Sequence, residues 1–204
     1  MAIEKDFFRQ VMGRFTTGVT VVTTEHQGQP GGLTVNAFCS VSLNPPLVLV
    51  CVDLGSQTLP LIRASKSFAV NMLSNQQEAL SRCFATRSSD RFDHFCNATH
   101  YKAVTGAPIL DGVLAFIDAR VVAEYPGGDH AIFIGQVVAM GIGHQVIFAD
   151  DADQEQSTIP EASSNGRGDH TLPLVYYRAQ YRHLAEAYRE PSLTASTRYD
   201  EDSK

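Results

Sequence analysis

Seven short runs rich in β-branched and aromatic residues, separated by turn-forming residues, constrain the fold of this 204-residue chain most strongly. Such residues favour strands, because their side chains pack well on a pleated surface. Gly, Pro, Asn and Asp mark turns at 27–32, 44–46 and 126–129. The runs cover 19–24, 33–38, 47–53, 68–73, 113–123, 131–140 and 174–177. We therefore predict a mainly β fold.

Three segments have helical signatures. Residues 2–15 carry apolar side chains at helical spacing, which predicts an amphipathic N-terminal helix. A second helix is predicted over 59–65, and a third over 78–85, preceded by a capping box of Ser74 and Gln77. Strands do not alternate regularly with long helices, which disfavours a doubly wound parallel sheet. We predict a β-barrel with peripheral helices, because closure removes unpaired sheet edges.

The chain is long enough for one substantial core, and we predict a single domain over residues 1–185. Within it, residues 150–170 are polar and rich in small residues, which indicates a surface insertion. Residues 186–204 contain too little apolar surface to hold themselves in place, and we predict a disordered C-terminal tail.

The formal net charge of -6 disfavours nucleic acid as a partner, since a polyanion would be repelled. The N-terminal sequence lacks the features of a signal peptide, and no apolar run reaches membrane-spanning length, so we expect a cytoplasmic protein without membrane contact. The four cysteines are widely spaced and lie in or near apolar segments. They are expected to be reduced packing residues rather than disulfides or zinc ligands.

Common catalytic and nucleotide-binding motifs are missing from the sequence. No Gly-x-Gly-x-x-Gly follows a strand, and neither a P-loop, a Gly-x-Ser-x-Gly nor a His-Glu-x-x-His occurs. His94 and His100, with Asp90 and Asp93, lack the spacing of a metal site, and we predict no metal.

Residues 31–53 place small polar side chains in an otherwise apolar strand-turn-strand segment: Thr34, Asn36, Ser40 and Ser42. One interpretation is that they line the solvent face of an antiparallel pair. The alternative is a ligand site, in which the backbone contacts the polar edge of a planar ring while Val35, Ala37 and Val41 contact its faces. Ligand pockets combine apolar walls with a few polar groups in this way.

Next along the chain, Ser56, Gln57 and Thr58 open the second predicted helix. Their hydroxyls and free helix N–H groups suit a phosphate, although an ordinary N-cap explains them equally well. A guanidinium from Arg82, Arg87 or Arg91 could complete such a site, since phosphate favours bidentate arginine donors.

An ordered set of short motifs resembles the flavin reductase domain family of two-component monooxygenases over residues 5–185. The motifs are Thr-Val-Asn-Ala-Phe at 34–38, Ser-Val-Ser-Leu at 40–43 with Pro-Pro-Leu at 45–47, Ser-Gln-Thr at 56–58, Phe-Ala-Val-Asn at 68–71, and Gly-Asp-His at 128–130 before a strand containing Gly135. The resemblance implies an FMN-binding split β-barrel that forms a homodimer. It also implies that NADH or NADPH reduces FMN, or alternatively FAD, and that the reduced flavin diffuses to a partner monooxygenase.

The resemblance further implies roles for matching positions. Thr34, Val35, Asn36 and Ala37 lie beside the isoalloxazine ring, and Ser40, Val41, Ser42, Cys51, Val52 and Asp53 hold the ring and ribityl chain. Ser56, Thr58 and Arg87 approach the phosphate, with Arg91 as the alternative to Arg87. Asp129 belongs to the cofactor site, and His130 is the catalytic candidate, which faces the nicotinamide.

Two other functions remain open from the sequence. A non-catalytic module could bind flavin without reacting with NADH. A flavoprotein could instead retain its flavin and reduce another bound cofactor such as a corrinoid, or act directly on an organic substrate. The Gly-Asp-His motif favours the reductase. The choices between NADH and NADPH, and between FMN and FAD, stay open.

Overall fold

The computed structural model describes residues 3–142, 145–148, 157–158 and 172–184. These residues form four α-helices: α1 (Lys5–Met12), α2 (Leu59–Ser65), α3 (Glu78–Ala85) and α4 (Ser89–Phe92). They also form fourteen β-strands: β1 (Thr17–Gly18), β2 (Thr20–His26), β3 (Gln29–Val35), β4 (Phe38–Leu43), β5 (Pro46–Asp53), β6 (Ser67–Met72), β7 (His100–Lys102), β8 (Pro108–Leu110), β9 (Ala115–Gly127), β10 (His130–Ile142), β11 (Gln145–Phe148), β12 (Ser157–Thr158), β13 (Val175–Tyr177) and β14 (Gln180–Arg182).

The main sheet is antiparallel and has nine strands. Its principal order is β12-β11-β10-β9-β6-β2-β3, and β5 pairs with β10 on one side and with β4 on the other. The long strand β10 takes part in three ladders: it pairs with β9 along its whole length, with β5 along its first half and with β11 at its end. The prediction of a mainly β fold with peripheral helices is confirmed. The ladders of the described strands leave β3 and β4 at open edges, so hydrogen bonding does not close a full barrel.

Apolar side chains from both ends of this sheet meet in one core. Leu33 and Val35 of β3 pack with Val48, Val50 and Val52 of β5, and Phe68, Phe133 and Ile62 complete the same cluster. The sheet is therefore strongly curled, and the irregular connection between β3 and β4 lies at its rim. Residues 36 and 37 form this connection, where a continuous strand over 33–38 was predicted.

The helix predictions are confirmed for α2 and α3, and the Ser74–Gln77 capping box is present. Helix α1 begins after Glu4, whose carboxylate accepts hydrogen bonds from the backbone N–H groups of Asp6 and Phe7. Its apolar stripe, however, is not buried within the protomer: Phe8 is 56% exposed and Phe15, just beyond the helix, 71%. A stripe of this kind normally faces a core.

The expectation that all four cysteines are reduced is wrong. Cys83 of α3 and Cys96 form a disulfide, with 6.0 Å between their Cα atoms. The two cysteines are 13 residues apart in the sequence, a spacing that matches no common disulfide motif. The segment between them contains α4 and reverses direction, which brings the two sulfur atoms together. Cys39 and Cys51 are free.

The predicted insertion lies largely outside the described residues, and the predicted tail wholly so. Within the insertion, Ser157 and Thr158 pair with β11. No helix in the described parts of the chain has both the length and the apolar character needed to cross a membrane.

A buried carboxylate fixes the loop before β8. Asp118 of β9 is fully buried and accepts hydrogen bonds from the backbone N–H groups of Val104 and Thr105 at 2.9 and 2.8 Å, and from the Thr105 hydroxyl. Burial raises the pKa of Asp118, while the hydrogen bonds from Thr105 and Val104 oppose that rise. The loop is therefore held at the cost of burying an ionisable group.

We expect Asp118→Ala to lower the free energy of unfolding by about 2–4 kcal/mol, because it removes the acceptor of the Val104 and Thr105 N–H groups and of the Thr105 hydroxyl. Asp118→Asn keeps an acceptor and is expected to cost about 1 kcal/mol or less. A raised native pKa means that wild-type stability falls as pH rises from the ordinary carboxyl value of 3.8 upward. Denaturant titrations at increasing pH should therefore show the free energy of unfolding of Asp118→Asn rising relative to that of wild type. A difference between the two proteins that does not change with pH would contradict the raised pKa.

Candidate active site

A groove of about 760 Å³ opens between α1 and the rim formed by β4 and β5. One wall consists of Phe8, Met12 and Phe15 on or next to α1. The opposite wall includes Asn36 and Ala37 from the β3–β4 connection, together with Phe38, Cys39, Leu49 and Cys51. The groove is mostly apolar with a few polar groups, which is the character of a site for a planar organic ligand.

The β3–β4 connection places alternate side chains in different environments. Asn36 and Ala37 line the groove, and the Ala37 carbonyl accepts a hydrogen bond from the Cys51 N–H at 3.1 Å. Val35 points into the main core, so only its backbone could contact a ligand. The Thr34 hydroxyl donates to the Ser81 carbonyl at 2.6 Å and thereby ties β3 to α3.

Strand β4 lies at the exposed edge of the sheet. Its pairing with β5 shifts register between Ser40 and Ser42, and Val41 at this irregularity is 48% exposed. None of these three residues is among those that line the groove. On the paired strand, Cys51 lines the groove while Val52 points into the core. Burial, and then the neighbouring Cys39, raise the pKa of the Cys51 thiol.

The turn after β5 is closed by its own hydrogen bonds. The Asp53 carboxylate accepts from the Gly55 N–H at 2.7 Å, and the Ser56 hydroxyl accepts from the Thr58 N–H at 3.3 Å. Arg87 approaches from α3's C-terminal side, and its guanidinium donates to the Gly55 carbonyl at 2.9 Å. The structure therefore brings Asp53, Ser56, Thr58 and Arg87 together.

Arg91 of α4 lies behind this turn and is only 6% exposed. Its Nε donates to the Gly32 carbonyl at 2.8 Å, and its Nη2 to the Thr58 hydroxyl at 3.3 Å. That hydroxyl in turn donates to the Gly32 carbonyl at 3.1 Å. Desolvation, and then the neighbouring Arg87, lower the pKa of Arg91.

No carboxylate in the described residues lies within ion-pairing distance of Arg91. A buried guanidinium normally has an anionic partner, because desolvating an unpaired charge is costly. A second arginine, Arg87, lies close enough to lower the pKa of Arg91. The arrangement is that of an anion site.

The Asp129–His130 turn joins β9 to β10 and pairs with the end of β5. His130 lies opposite Asp53 in the ladder, and the Asp129 carbonyl accepts from the Leu54 N–H at 3.0 Å. The His130 Nδ1 is 2.7 Å from the Asp129 carboxylate, and the hydrogen bond with His130, followed by the charge of His130, lowers the pKa of Asp129. His130 lines a separate depression of about 280 Å³ with Leu54 and Tyr125, not the groove itself.

Sequence reasoning missed the α1 wall of the groove and the contribution of Tyr176 and Ala179 at its far end. The helical stripe was visible in the sequence, but a stripe alone does not say which surface it borders. Arg91 was an alternative to Arg87 for the phosphate. The structure places both at the same turn, with Arg91 the more deeply buried.

The chain has relatives among known proteins. The sequence profile described as flavin reductase like domain matches residues 12–185. The chain is similar to the reductase subunit HsaB of a flavin-dependent monooxygenase from Mycobacterium tuberculosis, with 32% identity over 98% of this chain and 90% of the relative. It is 42% identical to a flavin reductase (NADH) from Kitasatospora aureofaciens over 68% and 73% of the two chains. The structure resembles the NADH:FAD oxidoreductase SgcE6 of Streptomyces globisporus in complex with NAD and FAD fragments, with 32% identity, a TM-score of 0.70, and coverage of 89% and 93%.

Proposed function

The chain belongs to the flavin reductase like domain family and is a flavin reductase, and from that premise we propose that it reduces FMN or FAD with NAD(P)H in the groove beside α1. Relatives that act as reductase components of monooxygenases support its assignment to a two-component system. The observation that carries the site assignment is the buried Arg91, which has no carboxylate partner among the described residues. It contacts Thr58 in the turn that follows β5, the strand that lines the apolar groove with Leu49 and Cys51.

The groove fits an isoalloxazine ring in size and chemistry. Its apolar walls suit the faces of the ring, and the backbone around Asn36 and Ala37 can meet the polar ring edge. From Cys51, strand β5 leads over two residues to the turn at Asp53, so a ribityl chain can follow the strand. The flavin phosphate would then reach Arg87, Arg91 and Ser56 at the anion site.

When bound, the flavin supplies the redox chemistry by accepting a hydride from the reduced nicotinamide. The protein's own residues bind and orient the two partners. Asp129 holds the His130 ring beside the last residue of β5, next to the proposed ribityl path. We propose that His130 positions the nicotinamide nucleotide, and that the apolar α1 wall limits the access of water to the ring.

The primary test is oxidation of NADH and NADPH by the purified protein with added FMN, FAD or riboflavin, first in air and then without oxygen. We expect flavin-dependent oxidation in air and bleaching of the flavin without oxygen. Bound flavin with no oxidation of either nucleotide would favour the non-catalytic binding module instead. Flavin that stays bound through gel filtration and turnover would favour a flavoprotein acting on another cofactor or substrate.

We expect His130→Ala to raise the KM for NADH by about five- to tenfold, which corresponds to the loss of a typical hydrogen bond. The Kd for flavin should change far less, because His130 lies outside the groove. Steady-state kinetics and flavin fluorescence titrations measure the two effects, with His26→Ala as a control at a histidine far along β2. Unchanged KM and turnover would rule out this role.

We propose that the active form is a homodimer. The α1 stripe and edge strand β4 both border the groove, and both leave large apolar side chains exposed, including Phe8, Phe15 and Leu43. Contiguous exposed apolar surface of this kind is uncommon on monomers. In a twofold-symmetric dimer, this apolar surface of one subunit would pack against the same surface of the other.

Leu43→Glu is expected to convert the dimer to a monomer, because Leu43 is 95% exposed at the end of β4 and a carboxylate there would be buried on association. Light scattering after gel filtration measures the mass. Val122→Glu is the matched control, since Val122 is also exposed but lies on β9. Dimers in both variants would place the interface elsewhere.

The reduced flavin is proposed to reach the partner monooxygenase by diffusion, because the groove is open along one side. We also propose a cytoplasmic location, where NADH and NADPH are available as electron donors.

A further inference from the structure

A second cavity, of about 670 Å³, lies between the C-terminal end of α3 and the hairpin of β13 and β14. Its α3 side is formed by Arg82, Ala85 and Thr86, and its hairpin side by Tyr176, Ala179 and Tyr181. The proposed flavin site does not include this cavity, although it is large enough for a nucleoside monophosphate.

The cavity adjoins the proposed flavin site. It shares Tyr176 and Ala179 with the apolar groove. At its other end, Thr86 immediately precedes Arg87 of the anion site. The cavity therefore adjoins the groove directly and is next to the anion site along the chain.

The cavity contains a planar cationic surface. The Arg82 guanidinium lies 4.6 Å from the centre of the Tyr181 ring and is held by the Glu78 carboxylate at 2.6 Å. The Tyr181 hydroxyl is hydrogen-bonded to the Ser81 hydroxyl at 2.8 Å, which fixes the ring. The Arg82 side chain is nevertheless 63% exposed, so its outer face is free to stack on a purine base.

The charge of the hairpin also favours an anionic ligand. Residues 172–184 contain Arg178 and Arg182 and no Asp or Glu, in a chain whose formal net charge is -6. Positive charge is thus concentrated beside the cavity while the chain as a whole is negative. A nucleotide would be attracted here and repelled over much of the remaining surface.

The hairpin turn is strained at the point where the groove and the cavity meet. Arg178 and Ala179 both have positive φ, 52° and 58°, in a two-residue turn where Asn-Gly is the favoured sequence. Such conformations in residues other than glycine cost free energy and cluster at ligand sites. The turn presents the small Ala179 side chain at the shared border and leaves a passage there.

We propose that this cavity binds the adenylate half of a dinucleotide. The inference rests on the proposed reductase function, and the chemistry is shared by FAD and NADH. Arg82 stacks on the adenine, the arginines of the hairpin attract the phosphates, and the dinucleotide extends from the cavity into the groove or the anion site.

The test compares Ala85→Glu with Ala85→Gln. Ala85 is exposed at the last position of α3, so both side chains fit the fold, and only the first adds a negative charge to the cavity. Calorimetry with ADP-ribose probes the adenylate directly. Flavin fluorescence gives the Kd of FAD and FMN, and kinetics give the KM of NADH and of reduced nicotinamide mononucleotide, which lacks adenylate.

We expect Ala85→Glu to weaken ADP-ribose binding by about tenfold, and Ala85→Gln by about twofold or less. A matching loss for FAD but not FMN assigns the cavity to the flavin, and a loss for NADH but not the mononucleotide assigns it to the electron donor. Unchanged ADP-ribose binding, or equal losses for the ligands with and without adenylate, would overturn the proposal. A wild-type protein that neither binds nor reduces any flavin would instead refute the reductase function.

Discussion

Arg91→Met is expected to weaken FMN binding by about 50-fold, which is the loss expected for charge-assisted hydrogen bonds to a phosphate. Arg91 is the buried cation of the anion site, and no carboxylate among the described residues neutralises it. A dianionic phosphate at this point would supply the missing charge. Methionine retains much of the side-chain volume, so the core around Gly32 and Thr58 keeps its packing.

Riboflavin separates this role from a structural one, because it carries the same ring and ribityl chain without the phosphate. We expect its Kd to be nearly unchanged in Arg91→Met. Arg87→Met should have a smaller effect on FMN, since Arg87 is exposed and its charge is screened by solvent. If FMN and riboflavin lose affinity equally, Arg91 acts only through the fold. If FMN binding is unaffected, the phosphate lies elsewhere.

The second large effect is on stability. We expect Gly135→Val to lower the free energy of unfolding by about 3 kcal/mol or more, because it overpacks the core. A Cβ atom at Gly135 would lie 2.6 Å from the Phe68 ring and 2.9 Å from the Ala119 Cβ. Both neighbours are fully buried, so neither can move aside. Gly135 lies in β10, and its loss would also disturb the ladder that carries Asp53 and His130.

Gly18→Ala is the matched control. A Cβ at Gly18 meets no atom within 4 Å, and its φ is not in the positive region. Denaturant unfolding should show a change of about 0.5 kcal/mol or less for this variant. Equal stabilities of Gly135→Val and wild type would mean that β6, β9 and β10 are not packed as described.

Much of the fold could be predicted from sequence because the signals are local. The alternation of β-branched and turn residues gave the strands, and the capping box of Ser74 and Gln77 gave the start of the helical segment that leads into α3. The predicted ends of strands were wrong where contacts between distant parts of the chain determine where a strand stops. The predicted strand over 33–38 is interrupted at Asn36. The chain leaves β3, which pairs with β2, and turns at the rim of the sheet into β4, which pairs with β5.

The site was harder to predict because it depends on non-local pairing. Alternation places Val35 and Val52 in the core and Asn36 and Cys51 at the groove, but the sequence does not show which face is inward. The apolar stripe of α1 has the same sequence pattern whether the helix packs on a core or borders a ligand groove. The disulfide of Cys83 and Cys96 likewise depends on how α4 folds back. The roles of the site residues stay predictions.

The Gly32 carbonyl accepts from both the Thr58 hydroxyl and the Arg91 guanidinium, and so joins three separate parts of the chain at one oxygen atom. Helix α4 is only four residues long and has little stability of its own. An anion that binds Arg91 therefore also stabilises α4 against local opening, by mass action. If the flavin phosphate binds at Arg91 as proposed, its release is linked to the fraying of α4, and the dynamics of that helix help to set the residence time of the flavin.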